Sequence, residues 1–355
     1  MINVLFDTTP LTNEHAHRGV GQYTGRLLEY LKKSSKVGIL TPDQIGTKDK
    51  QKIDLIHYPY FDLFSHTLPF IKPAPHTLVT IHDVIPLQFP EAYKPGKRGK
   101  LALLVQSASL SRVDGIITDS VSSKDSINHK LNVPMDKINV VYLAGNPLLQ
   151  HQPESIQDLV RATNKLPAKY LLYVGDINYN KNLPQLIKSL KYLDDDLCLV
   201  CFGKNFYPHQ IPEWQWIETQ LALSNVESRV HFLTEFSEEL NLPFETQLGA
   251  LYSAATMYIQ PSLAEGFGLP VLEAMQCKTP VVATNLTSLP EVGGSHATYC
   301  SPDANSIAEA VKKVLMKSKA ERTNDLRRAK SWSEQFNWQK TADETIAIYQ
   351  SIVKR

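Results

Sequence analysis

The sequence lacks the long hydrophobic runs from which membrane-spanning helices are built. No apolar run reaches the roughly 18 residues that a helix needs to cross a bilayer. The chain begins MINVLFD, the pattern of a short strand without the basic leader of a signal peptide. We therefore expect a cytoplasmic protein, and contact with a membrane surface stays open.

Cysteine is also scarce, with 4 residues in a chain of 355. Cys198 and Cys201 are spaced as in zinc and thiol-redox sites. They lie in the apolar run LCLVCF, which is typical of a buried strand, where residues three apart point to opposite faces. No second Cys-x-x-Cys pair completes a metal set. We predict buried free thiols, a reducing compartment and no metal site.

An excess of one charge is missing as well. Lys and Arg total 37, Asp and Glu total 36, and the formal net charge is +1. A dedicated nucleic-acid-binding protein shows a basic excess, so we expect no nucleic-acid partner. An apolar fraction of 43% is ordinary for a globular protein, and 355 residues are enough for two domains.

Short apolar segments alternate with helical segments over nearly the whole chain. The helical pattern is clear at Leu183, Leu186, Ile187 and Leu190, which recur on one face. Such alternation predicts parallel sheets covered by helices on both faces, hence an α/β fold with two doubly wound domains. The predicted strands are 2–6, 37–40, 53–57, 77–81, 115–118, 138–142, 170–174, 197–202, 229–233, 257–260, 280–283 and 298–300.

The domain boundary is predicted within residues 145–169, which hold three prolines around a polar helical segment. We assign residues 1–150 to the first domain and 165–335 to the second. The last helix, 338–355, has two open placements: it caps the second domain or crosses back onto the first. Ligands of such sheets bind beyond the carboxyl ends of the strands, so a cleft between the domains is the expected site.

Residues 261–275 form the strongest local constellation. A predicted strand ends at Gln260, a glycine-containing loop follows, and a helix begins near Pro270, a residue suited to a first turn. Backbone N–H groups of Phe267, Gly268 and Leu269 would point out of that turn and form an anion site with the helix dipole.

Two carboxylates flank this loop. Glu265 precedes it and Glu273 lies about one turn into the helix. The pair could bracket a ligand whose phosphates meet the N–H groups between them. Their spacing fits binding rather than the acid–base pair of a glycosidase.

The run 265–285, followed by 288–293, resembles the E-x7-E region of retaining glycosyltransferases of family 4, which have the GT-B fold. The resemblance covers most of the chain. It implies two Rossmann-like domains facing each other across a cleft and transfer of a sugar from a nucleotide donor with retention. It places Glu265 by the donor sugar, Glu273 on the ribose hydroxyls, and residues 266–269 (Gly266, Phe267, Gly268 and Leu269) on the donor. No metal and no cofactor beyond the nucleotide-sugar substrate are implied.

Three further segments resemble the same family. Residues 17–24 look like its glycine loop, with Gly19 and Gly21 next to the donor diphosphate. Residues 81–86 carry a His-Asp pair, which puts His82 beside the transferred sugar and the acceptor, with Asp83 next to it. By contrast, Ser120 in the segment 117–123 is interpreted as a helix-capping residue.

The segment 173–182 matches the family with one departure. Lys181 and Asn182 agree with the family's Arg-Lys-Asn, but Asn180 replaces the arginine. A charge-assisted hydrogen bond contributes about 1.5–3 kcal/mol, so this loss would weaken donor binding unless another cation compensates.

The resemblance implies that the acceptor attacks the anomeric carbon from the same face as the one from which the leaving group departs. Lys181, the glycine loop and the N–H groups near Gly268 would stabilise charge on the leaving phosphate. Glu265 would support the sugar without acting as a nucleophile.

Several alternatives stay open. The chain could be another GT-B enzyme, such as a sugar-nucleotide epimerase or a phosphorylase, or a degenerate nucleotide-binding scaffold. The segments at His82 and Lys181 resemble a mannosyltransferase branch, which suggests GDP-mannose as the donor; UDP-hexoses and dTDP-rhamnose remain open. The expected acceptor is a saccharide or lipid-linked saccharide of a surface polysaccharide. The basic segment Lys94–Lys100 could dock on anionic lipid at the inner face of the membrane, or be a solvated loop.

Overall fold

The computed structural model describes residues 1–14, 16, 19–44, 53–69 and 72–354. The chain divides into two compact units. The first comprises Met1–Leu143 together with Phe336–Arg355, and the second comprises Ala144–Gln335. Each unit is built around one parallel sheet of 6 strands.

The strands form where apolar residues follow one another without interruption, because both faces of each sheet are buried. β3, β5, β10 and β11 are buried at every position. Each predicted strand segment overlaps an observed strand. The strands are β1 (Ile2–Phe6), β2 (Val37–Leu40), β3 (Leu55–Tyr58), β4 (His76–Thr80), β5 (Gly115–Thr118), β6 (Ile138–Val140), β7 (Tyr170–Val174), β8 (Cys198–Phe202), β9 (Val230–Leu233), β10 (Met257–Gln260), β11 (Val281–Thr284) and β12 (Thr298–Cys300).

The helices cover these sheets with their apolar sides. In α6, for example, Leu183, Leu186 and Ile187 are all buried in the core of the second unit. The helices are α1 (Gly19–Lys32), α2 (Ile85–Gln88), α3 (Lys97–Leu110), α4 (Val121–Leu131), α5 (Glu154–Thr163), α6 (Leu183–Ser189), α7 (Pro212–Ser224), α8 (Phe244–Ala254), α9 (Leu269–Gln276), α10 (Leu289–Gly293), α11 (Ala304–Leu315), α12 (Lys319–Ser333) and α13 (Trp338–Val353).

The strand orders fix which residues meet at the edge of each sheet. The first sheet has the order β2-β1-β3-β4-β5-β6 and the second has β12-β11-β10-β7-β8-β9. All pairings between neighbouring strands are parallel, so the carboxyl ends within a sheet lie at one edge. Residues that follow β4 and β5 therefore come together in the first unit, and residues that follow β7, β8 and β10 come together in the second.

The C-terminal helix α13 lies in the first unit. The Oγ1 of Thr341 donates to the carbonyl oxygen of Tyr142 at 2.8 Å, and Ile352 packs against Gly115 of β5. Its start is capped by Asn337, whose side chain accepts a hydrogen bond from the N–H of Lys340.

The division after Leu143 differs from the boundary predicted after residue 150. Residues 144–150 pack into the second unit. A Cβ on Gly145 would lie 2.6 Å from Gln276, and one on Gly249 would lie 2.7 Å from the carbonyl oxygen of Gln150. These close backbone approaches explain why the segment belongs there.

The four cysteines are free thiols, and Cys198 is half-buried while the other three are buried. Burial raises the pKa of the Cys201 thiol, which keeps it protonated and unreactive. Among the described residues, no helix combines the length and the apolar character that crossing a membrane requires.

Candidate active site

An ion pair at the carboxyl end of β10 is the centre of the candidate site in the second unit. The Nζ of Lys181 lies 2.8 Å from both carboxylate oxygens of Glu265. The Oε1 of Glu265 also accepts from Gln260 Nε2 at 2.7 Å and from Ser262 Oγ at 2.6 Å. The side chain of Glu265 is 9% exposed and that of Lys181 is 20% exposed. The carboxylate is thus held in one orientation by three donors.

The loop after Glu265 has the backbone shape that its glycine permits. Gly268 has φ +109°, a conformation that favours glycine, and it directly precedes α9. The Oγ of Ser288 donates to the carbonyl oxygens of Phe267 at 2.8 Å and of Glu265 at 3.0 Å. The N–H of Glu265 donates to Thr287 Oγ1 at 3.0 Å. These contacts fix the loop. In the first turn of α9, Pro270 has no N–H and the N–H of Val271 donates to the carbonyl oxygen of Gly268 at 3.0 Å, so the N–H groups of Gly268 and Leu269 are the candidates for an anion.

Glu273 lies on α9, four residues after the start of the helix at Leu269. Its Oε2 accepts a hydrogen bond from the hydroxyl of Tyr252 at 3.0 Å. Burial raises the pKa of the Glu273 carboxyl to about 6, although the Tyr252 hydroxyl opposes this rise. The residue is half-buried, so a ligand that donates to its carboxylate would offset the cost of charge there.

A cavity of about 410 Å³ opens beyond the carboxyl ends of β8 and β9. The rings of Phe202 and Phe236 stack in its wall with centroids 4.7 Å apart, and Phe244 lies beside them. Gln247 in the same wall donates from Nε2 to the carbonyl oxygen of Leu242 at 2.7 Å. Its buried Oε1 has no hydrogen-bonding partner among the described residues.

In the first unit, His82 and Asp119 form a buried pair. They follow the adjacent parallel strands β4 and β5, and His82 Nδ1 lies 2.7 Å from Asp119 Oδ2. The side chains are 16% and 3% exposed. Burial lowers the pKa of His82, but the charge and hydrogen bond of Asp119 outweigh it, so that pKa is raised. Burial raises the pKa of Asp119.

The second ring nitrogen of His82 is enclosed as well. Nε2 meets hydrogen-bond geometry with no described residue, although the Pro59 carbonyl is close enough to favour a protonated ring. The edge of Tyr23 packs on the imidazole at 4.7 Å between centroids and 88° between planes. Both ring nitrogens of His82 are therefore buried within the first unit.

A chain of buried polar side chains continues from this pair. The hydroxyl of Tyr23 lies 3.2 Å from Thr80 Oγ1, which is 2.9 Å from His57 Nε2. The Nδ1 of His57 lies 2.7 Å from the hydroxyl of Tyr349 on α13. Burial lowers the pKa of His57 to about 3, so this second histidine stays neutral.

Comparison with known proteins gives the chain its family context. The model of the family described as glycosyl transferases group 1 matches residues 156–331, which lie in the second unit. O-antigen chain mannosyltransferase B of Escherichia coli is 28% identical over 298 residues, 82% of this chain and 74% of that protein. O-antigen chain mannosyltransferase RfbU of Salmonella typhimurium is 30% identical over 252 residues, 70% of this chain and 63% of RfbU, so the match spans less than two thirds of RfbU.

Among solved structures, sucrose-phosphate synthase of Thermosynechococcus elongatus superposes on this chain with a TM-score of 0.73 and 20% sequence identity. The match covers 99% of this chain and 99% of that one. That likeness shows a shared two-domain fold of Rossmann-like units. The chain is a glycosyltransferase of the GT-B fold. The predicted fold class is confirmed.

The glycosyltransferase uses Asn180 and Asn182 to build the loops around Glu265. Asn180 is 4% exposed and donates from Nδ2 to the carbonyl oxygen of Ala264 at 2.8 Å. Asn182 has φ +58° and donates to the carbonyl oxygens of Pro261 at 2.9 Å and Pro302 at 2.8 Å. Both amides hold backbone segments together, and the contact of Asn182 with a donor stays a prediction.

The predicted glycine segment lies at the start of α1, and its contact with a donor diphosphate stays a prediction. Gly19 and Gly21 are the first and third residues of α1, and Gly21 is buried. A Cβ on Gly19 would meet no atom of the described residues within 4 Å. His17 and Arg18, in the same predicted segment, lie outside the described residues.

Asp83 acts locally, because its Oδ1 accepts the N–H of Ile85 at 2.9 Å at the start of α2. The partner of His82 is Asp119, a residue that sequence reasoning passed over in favour of its neighbour Ser120, which does cap α4 through the N–H of Ser123 at 3.0 Å. The signal was present: His82 and Asp119 are polar residues that follow two buried strands.

The segment Lys94–Lys100 leads into α3 and presents exposed basic side chains at Lys94, Lys97, Arg98 and Lys100. Leu101 and Leu104 on α3 are 63% and 69% exposed. Within the described ranges, no group of three or more His, Cys, Asp and Glu side chains could hold a metal ion.

Proposed function

We propose that this glycosyltransferase is a retaining family 4 enzyme that moves a hexose from a nucleoside-diphosphate sugar to a saccharide or lipid-linked saccharide. Mannose from GDP-mannose is the proposed donor group. The observation that carries the proposal is Glu265, oriented by Lys181, Gln260 and Ser262 directly before the loop that enters α9. A buried carboxylate held by three donors suits a sugar hydroxyl. The helix N-terminus beside it suits the diphosphate of the same donor.

Each part of the donor has a matching group in the second unit. The diphosphate would lie at the start of α9, where the N–H groups of Gly268 and Leu269 and the helix dipole favour an anion, with Lys181 as the nearby cation. The ribose hydroxyls would donate to Glu273. The base would enter the cavity beside Phe236, with Gln247 Oε1 accepting one of its N–H groups.

Transfer would proceed on one face of the sugar. The acceptor hydroxyl oxygen bonds the anomeric carbon while the bond from that carbon to the β-phosphate oxygen breaks. The acceptor proton passes to the departing phosphate. Lys181 and the α9 N–H groups stabilise the charge that develops on the leaving diphosphate, and Glu265 holds a sugar hydroxyl near the oxocarbenium-like carbon. No metal takes part in this proposal.

His82 enters the proposal as a positioning residue. Because both of its ring nitrogens are enclosed, the pair with Asp119 would act by fixing the segment after β4 that contacts the sugar or the acceptor. Proton transfer by the imidazole is not part of the scheme.

The choice of mannose rests on the two relatives, both named O-antigen chain mannosyltransferases. Gln247 Oε1 is an acceptor that suits the N–H groups of guanine, although the N–H of uracil would also fit. Synthesis of a surface polysaccharide on the cytoplasmic side is proposed on the same grounds. The exposed leucines and basic residues at the start of α3 suit a peripheral contact with anionic lipid.

A binding and turnover experiment tests this function. GDP-mannose and UDP-glucose are titrated by thermal shift and calorimetry, with magnesium and with EDTA, and donor consumption is followed with lipid-linked saccharide acceptors. A donor at 100 times its Kd would stabilise the protein by about 2.7 kcal/mol. We expect metal-independent selectivity for GDP-mannose and a product with retained configuration. A product of inverted configuration would contradict the assignment.

The degenerate-scaffold alternative relied on Asn180 in place of arginine. That asparagine has its own structural use in this chain, since it bonds Ala264, while Lys181, Glu265 and Glu273 are all present. Binding of GDP-mannose without any turnover would favour the scaffold.

A further inference from the structure

Two buried tyrosines contact each other behind the glutamates of the candidate site. Tyr252 on α8 and Tyr258 on β10 are both 0% exposed, and their ring centroids are 5.7 Å apart. The hydroxyl of Tyr252 donates to Glu273. The hydroxyl of Tyr258 donates to Gln260 Oε1, and Gln260 in turn donates to Glu265. Each tyrosine is therefore connected to a different glutamate.

Tyr258 holds the end of the Gln260 amide that points away from Glu265. The carboxylate can only accept, so Nε2 of Gln260 must face it, and the amide oxygen is left to accept from the tyrosine hydroxyl. Nε2 lies 2.7 Å from Glu265 Oε1 and 2.8 Å from Ser262 Oγ. Gln260 is 1% exposed, so water has little access to replace the tyrosine. A flipped amide would set its oxygen against a carboxylate oxygen.

Tyr252 has a comparable effect on Glu273. Its bond is the one side-chain hydrogen bond found for Glu273 in the described part of the chain. The other titratable groups that face this carboxyl are Tyr258 and Cys277, and burial raises the pKa of both. Both are therefore uncharged near neutral pH. The Tyr252 hydroxyl is left as the group that favours the ionised carboxylate.

We propose that Tyr252 and Tyr258 are positioning residues of the donor site, Tyr252 for Glu273 and Tyr258, through Gln260, for Glu265. The roles that the glutamates play toward ribose and sugar rest on the proposed function, whereas the positioning itself does not. A purely structural role would make the two tyrosines equivalent to any other buried tyrosine. The proposal instead requires that each hydroxyl affect its own glutamate.

Tyr170 provides the matched control. It is 0% exposed on β7, next to β10 in the same sheet, and its hydroxyl donates to the backbone carbonyl of Leu251 at 2.7 Å. Tyr170→Phe therefore removes one buried hydroxyl, as Tyr252→Phe and Tyr258→Phe do, without touching either glutamate. Stability measured by urea unfolding shows whether all three variants fold.

The first experiment needs no ligand. Side-chain carboxyl resonances of ¹³C-labelled glutamate are followed against pH in the full chain, with Glu265→Gln and Glu273→Gln for assignment. We expect Tyr252→Phe to raise the pKa of Glu273 above its value of about 6. Tyr258→Phe should shift the Glu265 resonance and leave Glu273 nearly unchanged, and Tyr170→Phe should move neither. The same small change in all three variants would overturn the proposal.

The second experiment uses GDP-mannose and UDP-glucose as probes. Loss of one buried hydrogen bond should weaken binding of the preferred probe to Tyr252→Phe about two- to tenfold at pH 7. Tyr258→Phe should lower turnover by a similar factor of about two to ten and leave Kd unchanged. If the wild-type chain binds neither probe, the proposed donor is wrong, and the resonance experiment still decides the positioning. Equal losses in all three variants would reduce the tyrosines to core residues.

Discussion

The side-chain nitrogen of Asn180 lies 2.8 Å from the carbonyl oxygen of Ala264, directly before Glu265 in the chain. The backbone adds a second link between the same segments, since the N–H of Leu263 donates to the carbonyl oxygen of Asn180 at 2.7 Å. Asn180 is thus a buried tether in this protein. The tether joins the loop of Lys181 to that of its partner Glu265.

This relationship reverses what the sequence alone predicts for Asn180→Arg. The motif suggests that restoring the cation would strengthen donor binding. However, Asn180 is 4% exposed and its amide bonds Ala264, so an arginine there would bury a charge and remove that hydrogen bond. We expect a loss of about 3 kcal/mol or more in unfolding free energy. Urea unfolding measures it.

Asn305→Arg is the control for this substitution. Asn305 is exposed on α11, so the same change of residue type should leave stability within about 0.5 kcal/mol of the wild type. Suppose that Asn180→Arg unfolds at the same urea concentration as the wild type and binds GDP-mannose more tightly. Then the bond from Asn180 to Ala264 does not stabilise the fold, and the missing cation limits donor binding.

Asp119→Asn should lower the pKa of His82. The asparagine oxygen can still accept the Nδ1–H, but the charge that raises the pKa of His82 is gone. A raised pKa in the folded state stabilises the protein below the unfolded value of about 6.5, and this stability is lost as pH rises through the folded value. The difference in unfolding free energy between the wild type and the variant should therefore be larger at pH 6 than at pH 9.

Histidine NMR titration and urea unfolding at both pH values check this prediction. Other groups that face His82 are Asp83 on its own segment, Tyr23 from α1 and His57 from β3. Asp83→Asn serves as the control, because Asp83 accepts the N–H of Ile85 and its charge also raises the pKa of His82. If the pKa of His82 falls equally in both variants, the 2.7 Å hydrogen bond from His82 to Asp119 contributes nothing beyond the charge of the carboxylate.

The local sequence predicted the parts of the site that one segment builds. A strand, a glycine loop and a helix follow one another around Glu265, and their order can be recognised without knowing the rest of the fold. Asp119, Gln247 and Tyr252 escaped prediction because each comes from another strand or helix. Their contacts depend on which strands are neighbours in the sheet, and strand order is a tertiary property.

The burial of polar groups was equally hard to predict from the chain. Asn180 and Asn182 appear in the sequence as a polar loop, which normally indicates solvent. They are buried because each amide satisfies backbone carbonyls of another segment, a condition that buried polar groups must meet. Composition and spacing carry no information about those partners.

Donor binding should strengthen as pH rises through about 6, the pKa of Glu273 in the free protein. Ribose hydroxyls are donors, and an ionised carboxylate accepts from them more strongly than a protonated one. GDP-mannose is the right probe because it lacks the terminal phosphate whose second ionisation, near pH 6, would mask the effect. Calorimetry between pH 5 and 8 measures Kd.

Glu273→Gln should remove this pH dependence. The variant should also be more stable at pH 8 by up to about 2 kcal/mol, because a carboxyl with a raised pKa costs stability once it is ionised. Weaker binding together with higher stability would mark Glu273 as a residue kept for its ligand. Wild-type affinity in the variant would show that the ribose does not reach this carboxylate.

The exposed leucines of α3 should determine binding to anionic membranes. Leu101 and Leu104 lie one turn apart beside Lys97 and Lys100, and an apolar pair flanked by cations suits the surface of an anionic bilayer. The double variant Leu101→Ser/Leu104→Ser should lose most co-sedimentation with phosphatidylglycerol vesicles. Wild-type binding should weaken in 0.5 M salt, since screening removes roughly 1 kcal/mol per basic residue near the surface.

Leu223→Ser is the matched control, because Leu223 is 70% exposed on α7 of the second unit and has no basic segment beside it. It should bind vesicles like the wild type. Equal binding to phosphatidylcholine vesicles would contradict the role of charge, and retention of binding in the double variant would contradict the role of α3. Since neither leucine contributes to the core, a loss of membrane binding with unchanged unfolding would assign the effect to this surface.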